Sequence, residues 1–288
     1  MRKAIVALAV SALALAAAGV ASSRTSSPLA CDKGSLTLVN DGQLTIGTDN
    51  PAYPPWYAGG SPKGSKWKIN DPSTGKGFES AVAYAVAKKL GFAKSEVAWT
   101  YVPFNKAFAP GKKSFDFDVN QISFTPARAK VVAFSSSYYD VNQAVVVVKG
   151  TKIASVRSKA GLKGFKLGAQ LGTTSYAFIT SQIKPSQKPA VYPSNAGAVQ
   201  ALKNKQIDGL VVDLPTAFYV TAVQVPNSKI LGQFASAAGG EHFGMVFAKG
   251  SELVGCVNSA LASLRASGQL KSIQQQWLAK ATGAPVLK

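Results

Sequence analysis

The chain of 288 residues has a single histidine, His242, and only 13 acidic residues. One histidine excludes a metal site built from several imidazoles, and the scattered carboxylates do not cluster as metal ligands would. A Ser-His-Asp triad would have to use His242, yet no G-x-S-x-G motif precedes a helix. The P-loop spacing and a G-x-G-x-x-G motif after a strand are also absent. We therefore expect a protein that binds without a metal or cofactor, not an enzyme.

Arginine is scarce although the chain is strongly basic. The formal net charge is +19, from 32 Lys+Arg against 13 Asp+Glu, and lysine supplies nearly all of the positive charge. Arginine occurs only at Arg2, Arg24, Arg128, Arg157 and Arg265. Because the lysines are scattered and form no dense run, we expect a solvated basic surface and no nucleic-acid partner.

Residues 1–21 have the features of a signal peptide. A charged start, Arg2-Lys3, precedes an apolar run without a charge until Arg24, and Ala21 is a small residue suited to cleavage. A membrane-anchoring helix is the alternative, since the run approaches the ~17–25 residues that a span needs. The run is mostly alanine and has charge only on its N-terminal side, which favours cleavage. We predict an N-terminal tail at 22–35 and an exported monomer.

Cys31 and Cys256 are the only cysteines. In an exported protein an even number of cysteines favours a disulfide. The alternative is a lipid-modified Cys31 that anchors the chain at the outer face of the cell membrane. Pro28 stands where a lipobox usually has leucine, and Arg24 separates the apolar run from Cys31. Both features favour the disulfide, with the protein in the periplasm or at the outer face of the membrane.

Strand and helix patterns alternate along the chain. The main predicted strands lie at 43–48, 97–102, 115–120, 143–149, 165–170, 190–194, 208–213 and 243–248. The main predicted helices lie at 77–92, 173–183, 196–205, 215–224, 251–266 and 268–281. This repeated βα order predicts an α/β fold with largely parallel sheets. The segment 50–76, rich in Pro, Gly and Lys, predicts a loop or a small hairpin.

Polar side chains follow several predicted strands, which is where ligands bind in open α/β sheets. Asp49 ends the first strand, and Tyr53 follows in a loop stiffened by prolines. Asp213 ends a later strand before Pro215 starts a helix. Each position has a structural alternative, because Asp213 could cap that helix and the aromatic residues near Asp49 could belong to the core.

Arg128 lies on the first turn of a short predicted helix, with Thr125 as N-cap and Pro126 at its first position. Such a helix start attracts anions, and a guanidinium binds a carboxylate through two parallel hydrogen bonds. A surface arginine in an ordinary ion pair is the alternative. With Asp213 available for an ammonium, these groups are complementary to an α-amino acid.

The order of these motifs resembles the family 3 extracellular solute-binding proteins, the polar-amino-acid receptors of ABC importers. The segments that carry the resemblance are GTDNPAYPPW, GKGFESAVAYAVAKKLG, DFDVNQISFTPARAKVVAFSSSYY, LGTTS, IDGLVVD and GQLKSIQQQWL. They cover roughly residues 40–280 with their spacing preserved. The resemblance implies a type II periplasmic-binding-protein fold, in which two α/β lobes close on a ligand like a hinged clamp.

The resemblance also implies how the chain is divided. Each lobe would be a largely parallel sheet flanked by helices, and two crossover strands would join the lobes. Lobe one would comprise 36–143 and 241–288, and lobe two would comprise 144–240. The hinge strands would fall near 141–146 and 239–244.

Matching positions imply the ligand contacts. Arg128 would clamp the ligand carboxylate, assisted by Ser123 and by the backbone near Thr173 and Thr174, while Asp213 would take the α-ammonium. The rest of the site would comprise Tyr53 and Phe104 flanking the ligand, Asp49 facing its side chain, and Gln170 bordering the cleft from lobe two. Asn120 and Gln121 replace smaller residues that are common in the family. Their amides would project into the side-chain pocket and favour a polar ligand.

The implied function is the capture of a polar amino acid and its delivery to the membrane permease of an ABC importer. The alternative is a cyclohexadienyl-dehydratase-like enzyme on the same fold. That chemistry needs a positioned acid or base, for which Glu241 and His242 are the only unusual candidates.

Overall fold

The structure, a computed structural model, describes residues 31–235, 240–280 and 283–288. The predicted signal peptide at 1–21, and residues 22–30 of the predicted tail, lie outside the described residues. Within the described ranges, two five-stranded sheets and one two-stranded pair form the framework, so the predicted α/β class is confirmed. Among the described residues, no helix has both the length and the apolar character needed to cross a bilayer.

The helices and strands follow the predicted alternation. The strands are β1 (Leu44–Thr48), β2 (Val97–Tyr101), β3 (Phe117–Asp118), β4 (Ala133–Phe134), β5 (Tyr139–Asp140), β6 (Gln143–Val148), β7 (Leu167–Gln170), β8 (Ala190–Tyr192), β9 (Gly209–Asp213), β10 (Ser228–Gln233), β11 (His242–Phe243) and β12 (Val246–Phe247). The helices are α1 (Phe78–Lys89), α2 (Phe104–Ala107), α3 (Pro126–Ala129), α4 (Thr174–Phe178), α5 (Asn195–Lys203), α6 (Leu214–Tyr219), α7 (Leu253–Ala266) and α8 (Gln269–Leu278). A π-helical turn extends both α4 and α6.

Each sheet defines one lobe, and both sheets are mixed. The first sheet has the order β2-β1-β3-β12-β4, and the second has the order β10-β6-β9-β7-β8. In the first, β12 runs antiparallel to β3 and β4; in the second, β6 runs antiparallel to β9 and β10. Each sheet thus has four strands in one direction and a single strand against them, so the sheets are largely parallel as predicted, with β12 and β6 as the exceptions. β6 closely follows β5, and β12 closely follows β11, so each enters its sheet directly from the two-stranded pair.

Helix α1 packs the loop after β1 against the core of the first lobe. Phe78 and Val82 on α1 are fully buried in the cluster that also contains α7 and α8 residues. Gly77 precedes the helix with φ of 94°, and a Cβ there would lie 2.4 Å from the Cα of Tyr57. Only glycine fits this position, so the approach of the loop to the helix depends on it. An antiparallel bridge between Ala58 and Lys76 closes the segment predicted as a loop or small hairpin.

The second sheet is buried on both faces. One face packs on α5 and α6, and the other packs on a cluster that includes Ile153, Ile179 and Ile183. Strand β6 is buried along nearly its whole length, as its β-branched run predicted. Strand β10 was not predicted, because Lys229 and Gly232 interrupt its apolar pattern; its pairing with β6 makes it a strand.

The C-terminal residues 283–288 pack on the second lobe. The amide of Leu287 donates to the Gln233 carbonyl at 2.8 Å, and the amide of Gln233 donates to the Pro285 carbonyl at 2.7 Å. The sequence prediction placed all of 241–288 in lobe one, and for this tail it was wrong. The tail occupies the open edge that β10 presents, because unpaired backbone groups of an edge strand bind another extended segment. The remaining lobe and hinge boundaries stay predictions.

Cys31 and Cys256 form a disulfide, with their Cα atoms 5.3 Å apart. The predicted pairing is confirmed, and it joins the start of the described chain to α7. The alternative of a lipid-modified Cys31 has no support, since the Cys31 sulfur is bonded to Cys256.

Candidate functional site

A cleft of about 400 Å³ lies between the two sheets, where β1, β7 and β9 end. The predicted residues that line it from the first lobe are Asp49, Tyr53, Phe104, Asn120 and Gln121. Those that line it from the second lobe are Gln170, Thr173, Thr174 and Asp213. Ser123 and Arg128 are not among the lining residues; they make contacts that join the two lobes.

Arg128 bridges the lobes from α3. Its Nη1 donates to the Ser123 carbonyl at 2.6 Å, and its Nη2 donates to the Gly172 carbonyl of the second lobe at 2.8 Å. These bonds use two of the five N–H donors of a guanidinium. The group also lies 4.2 Å from the ring centroid of Phe108. Burial lowers the pKa of Arg128 to about 10, although nearby Glu241 and Asp213 oppose this shift, so the side chain stays cationic at neutral pH.

The helix start that carries Arg128 forms as predicted. Thr125 is the N-cap of α3, and its Oγ1 accepts from the backbone N–H of Arg128 at 3.1 Å. Pro126 occupies the first helical position, where a missing N–H costs nothing. The cap therefore sets the direction of the chain at Arg128.

Ser123 connects the two lobes through its hydroxyl. Its Oγ donates to Oε1 of Glu241 at 2.5 Å and lies 3.2 Å from Oγ1 of Thr174. Ser123 is 2% exposed, so these contacts are shielded from solvent.

Asp213 lies at the end of β9, partly open to the cleft. Its Oδ1 accepts from Nε2 of Gln143 at 2.9 Å, and the same nitrogen donates to Oε2 of Glu241 at 2.9 Å. Burial, followed by the nearby Glu241 carboxylate, holds the pKa of Asp213 well above its usual range. A cation close to Asp213 would favour its ionised form, because it would offset both effects. Asp213 occupies the N-cap position of α6, but in the part of the chain that the structure describes its side chain accepts no capping hydrogen bond from this helix, so the capping alternative is wrong.

The loop after β1 supplies aromatic contacts to the second lobe. The ring of Tyr53 lies 6.1 Å from that of Tyr219, and Nε1 of Trp56 donates to Oγ1 of Thr216 at 3.1 Å. Trp56 is otherwise core, at 1% exposed. Asp49 accepts from the Asn50 amide at 2.7 Å, and burial raises its pKa.

Gln121 lines the cleft, and Glu79 on α1 holds it there. Its backbone N–H donates to Oε1 of Glu79 at 2.7 Å, and its side-chain amide donates to the other Glu79 oxygen. Asn120 is 6% exposed, and its Nδ2 has no hydrogen-bond partner among the described residues. Asn120 therefore has a free donor at the cleft wall, whereas Gln121 is held by α1.

The turn before α4 approaches the first lobe closely. Gly172 has φ of 77°, and a Cβ there would lie 2.3 Å from Oδ1 of Asn105. Thr173 caps α4 by accepting from the Tyr176 amide at 3.1 Å. This turn can lie against the first lobe because Gly172 has no side chain. The Gly172 carbonyl is thereby close enough to accept a hydrogen bond from Arg128.

Sequence reasoning missed three residues of this region. Glu79 is buried in the first turn of an apolar helix, and that unusual setting for a carboxylate was the available signal. Gln143 begins a β-branched strand, and nothing in its local sequence marks it. Glu241 was considered only as a catalytic acid or base. His242 beside it packs on Phe124, with ring centroids 5.5 Å apart.

Several known proteins are similar to this chain in fold and in sequence. A family model for bacterial extracellular solute-binding proteins, family 3, matches residues 44–280. The ABC transporter arginine-binding protein 1 of Escherichia coli (strain K12) is 29% identical over 207 residues, which cover 70% of this chain and 81% of that protein. The solved structure of an ancestral arginine-binding protein bound to glutamine is 30% identical with a TM-score of 0.67, covering 82% of this chain and 97% of the other.

A further solved structure bears on the enzyme alternative. It is an ancestral amino acid-binding protein, a precursor of cyclohexadienyl dehydratase, with 26% identity, a TM-score of 0.64, and coverage of 82% of this chain and 95% of the other. The family match spans most of the chain and confirms the resemblance seen in the sequence. The chain belongs to the bacterial extracellular solute-binding proteins, family 3.

Proposed function

We propose that the chain binds one polar α-amino acid in the cleft and presents it to the membrane permease of an ABC importer. The observation that carries this proposal is the pairing of Arg128 and Asp213, a cation and a carboxylate linked by hydrogen bonds through Ser123, Glu241 and Gln143. An α-amino acid carries a carboxylate and an ammonium on one carbon, so it requires this pair of charges close together.

The carboxylate half of the ligand would bind at Arg128. Two guanidinium donors are used by the Ser123 and Gly172 carbonyls, which leaves donors for a carboxylate. Because one of those carbonyls belongs to each lobe, Arg128 sits where closure of the lobes would complete the site. The Thr174 hydroxyl lines the cleft beside it.

The ammonium half would bind at Asp213, and the side chain would extend toward Asp49. Tyr53 and Phe104 line the cleft from the first lobe and provide apolar walls. The free Nδ2 donor of Asn120 is a contact for a polar side chain. These groups support a polar rather than an apolar ligand.

The relatives support transport rather than catalysis. The matched relative is named as an arginine-binding protein of an ABC transporter, and the dehydratase precursor is itself named as an amino acid-binding protein. His242, one candidate base, stacks on Phe124. We propose a non-catalytic monomer outside the cytoplasm, with the amino acid and the permease as its partners.

Calorimetry of the purified protein against the common amino acids tests this function. We expect at least one polar amino acid to bind with a Kd of about 1 μM or tighter, without turnover. Mass spectrometry of ligand released from the protein identifies the natural ligand independently. Absence of binding by every amino acid, together with turnover of a prephenate-like acid, would replace the proposal with the enzyme alternative.

Arg128→Ala tests the role of the clamp. We expect it to reduce affinity by at least about 100-fold, because a charge-assisted bidentate contact is lost. Arg157→Ala is the matched control, since Arg157 is exposed and its bonds within the described residues go to the nearby carbonyls of Ala154 and Val156. Equal affinities for both variants would remove Arg128 from the site.

A further inference from the structure

The side chain of Glu241 contacts both halves of the proposed site, although Glu241 is not among the residues that line the cleft. It directly precedes β11, in the segment predicted to connect the lobes, and its carbonyl accepts from the Val141 amide at 3.0 Å. Its carboxylate accepts from Ser123 through one oxygen and from Gln143 through the other. The Glu241 side chain thus binds both Ser123, next to the proposed carboxylate contact, and Gln143, next to the proposed ammonium contact.

On the carboxylate side, Glu241 acts through Ser123. The Ser123 hydroxyl donates to Glu241 at 2.5 Å, and the Ser123 carbonyl accepts from Arg128 at 2.6 Å. Ser123 makes both bonds and is buried. If Ser123 shifts, the carbonyl that accepts from the Arg128 guanidinium shifts with it.

On the ammonium side, Glu241 acts through Gln143. A single amide nitrogen of Gln143 donates to Asp213 and to Glu241, each at 2.9 Å. The other end of that amide, Oε1, is buried without a hydrogen-bond partner among the described residues. A buried acceptor without a partner is unfavourable, so the two carboxylates together dictate the orientation of Gln143.

We propose that Glu241 is a positioning residue of the ligand site, which orients Arg128 through Ser123 and Asp213 through Gln143. This inference rests on the proposed function. A site whose polar groups are held in place before binding loses less conformational freedom when the ligand enters, and therefore binds more tightly.

Glu241→Gln is the first test, with L-arginine as the probe in calorimetry. The substitution keeps the size of the side chain but removes its charge. Its amide nitrogen would either oppose the Gln143 amide nitrogen or face the Ser123 hydroxyl, which would then have to turn from donor to acceptor. We expect affinity to fall about tenfold or more, as for loss of a hydrogen bond to a charged group. If L-arginine does not bind the unmodified protein, the strongest binder among the common amino acids serves as the probe.

Asp140→Asn is the matched control. Asp140 lies on β5, directly opposite His242 in the paired strand, and it is exposed. Its side chain accepts from the Ser137 hydroxyl at 2.9 Å and contacts neither Ser123 nor Gln143. The change in charge equals that of Glu241→Gln, and we expect affinity to stay within about twofold.

A mutant cycle that replaces Ser123 and Gln143 together separates positioning from a general structural effect. In a Ser123→Ala/Gln143→Met background, Glu241→Gln should lower affinity by less than about twofold, because both routes are already broken. An equal loss in both backgrounds, or Glu241→Gln binding as well as Asp140→Asn, overturns the inference. If Glu241→Gln does not fold, Glu241→Asp replaces it in every comparison. Its side chain is shorter by one methylene group, and we expect the same fall in affinity. If no amino acid binds the unmodified protein, the proposed function itself fails and this inference with it.

Discussion

Glu79 is a buried carboxyl group that shapes the wall of the cleft. It is 0% exposed and accepts from Gln121 and from the Tyr138 hydroxyl. Burial raises the pKa of Glu79 from its ordinary value of 4.5 to about 7, although these hydrogen bonds oppose the shift. Near neutral pH the group therefore titrates while it holds Gln121 in a left-handed backbone conformation, with φ of 49°.

The raised pKa of Glu79 predicts that the protein loses stability as the pH rises. The folded state binds this proton more tightly than the unfolded chain, so the stabilisation is complete below about pH 4.5 and is lost as the pH passes through about 7. The change in the free energy of unfolding attributable to Glu79 is roughly 3 kcal/mol. Urea unfolding at pH 5 and pH 8 measures it.

Glu79→Gln is the control for this titration. Burial also raises the pKa of Asp49, Asp118 and Asp213, and these groups change stability in the same direction. The variant should therefore keep part of the pH dependence and lose the part due to Glu79. The same difference between pH 5 and pH 8 in both proteins would contradict the assignment.

At the residue scale, the sequence predicted chemical types and positions but not partners. Arg128, Asp213 and Asp49 all lie at strand or helix ends, as expected. The carbonyl of Gly172 was not foreseeable as a partner of Arg128, because the contact crosses between lobes and spans 44 residues. The bond between Gln121 and Glu79 was not foreseeable for the same reason, since the two residues are 42 apart in sequence.

At the scale of elements, long periodic segments were predictable and context-dependent ones were not. The apolar spacing of α1 and the β-branched run of β6 both gave the observed element. Helix α2 and strand β10 have no clear local pattern, and β10 exists because it pairs with β6. The C-terminal tail follows the same principle, since its conformation depends on the edge of the second sheet.

Leu287→Ala tests how much the tail contributes to stability. Leu287 is 7% exposed in the core of the second lobe, and Gly232 leaves the space that its side chain fills. We expect the free energy of unfolding to fall by about 2–4 kcal/mol, as for other buried leucines. Denaturant unfolding provides the measurement.

Val286→Ala is the matched control for the tail. Val286 is the preceding residue and is 51% exposed, so its substitution should change stability by no more than about 0.5 kcal/mol. Comparable losses for both variants would mean that the tail acts through its backbone alone.

At the scale of the whole molecule, contacts between the lobes converge on the cleft. Trp56 with Thr216, Ser123 with Thr174, and Arg128 with Gly172 each join one lobe to the other. The disulfide lies within the first lobe, where it joins residues 225 apart in sequence. The hydrogen bonds therefore connect the two lobes, whereas the disulfide stabilises the first lobe.

Replacing both cysteines, as Cys31→Ser/Cys256→Ser, should lower the free energy of unfolding by about 2–4 kcal/mol, because the disulfide restricts the unfolded chain. Thermal unfolding measures the effect. A reducing agent should lower the Tm of the unmodified protein toward that of the variant and leave the variant unchanged. A Tm that does not respond to reductant in either protein would show that the bond contributes nothing.

Local sequence patterns were enough to predict the α/β order, the strand-end carboxylates and the capped start of α3, and they favoured the pairing of the two cysteines. These follow from local periodicity, from the chemistry of single residues and from the even number of cysteines. Tertiary contacts set the direction of β6 and β12, the place of the C-terminal tail and the network around Glu241. Those features depend on contacts between residues far apart in the chain, such as Ser123 and Glu241 across 118 residues. The free energy of such contacts arises from burial and geometry that no local pattern contains.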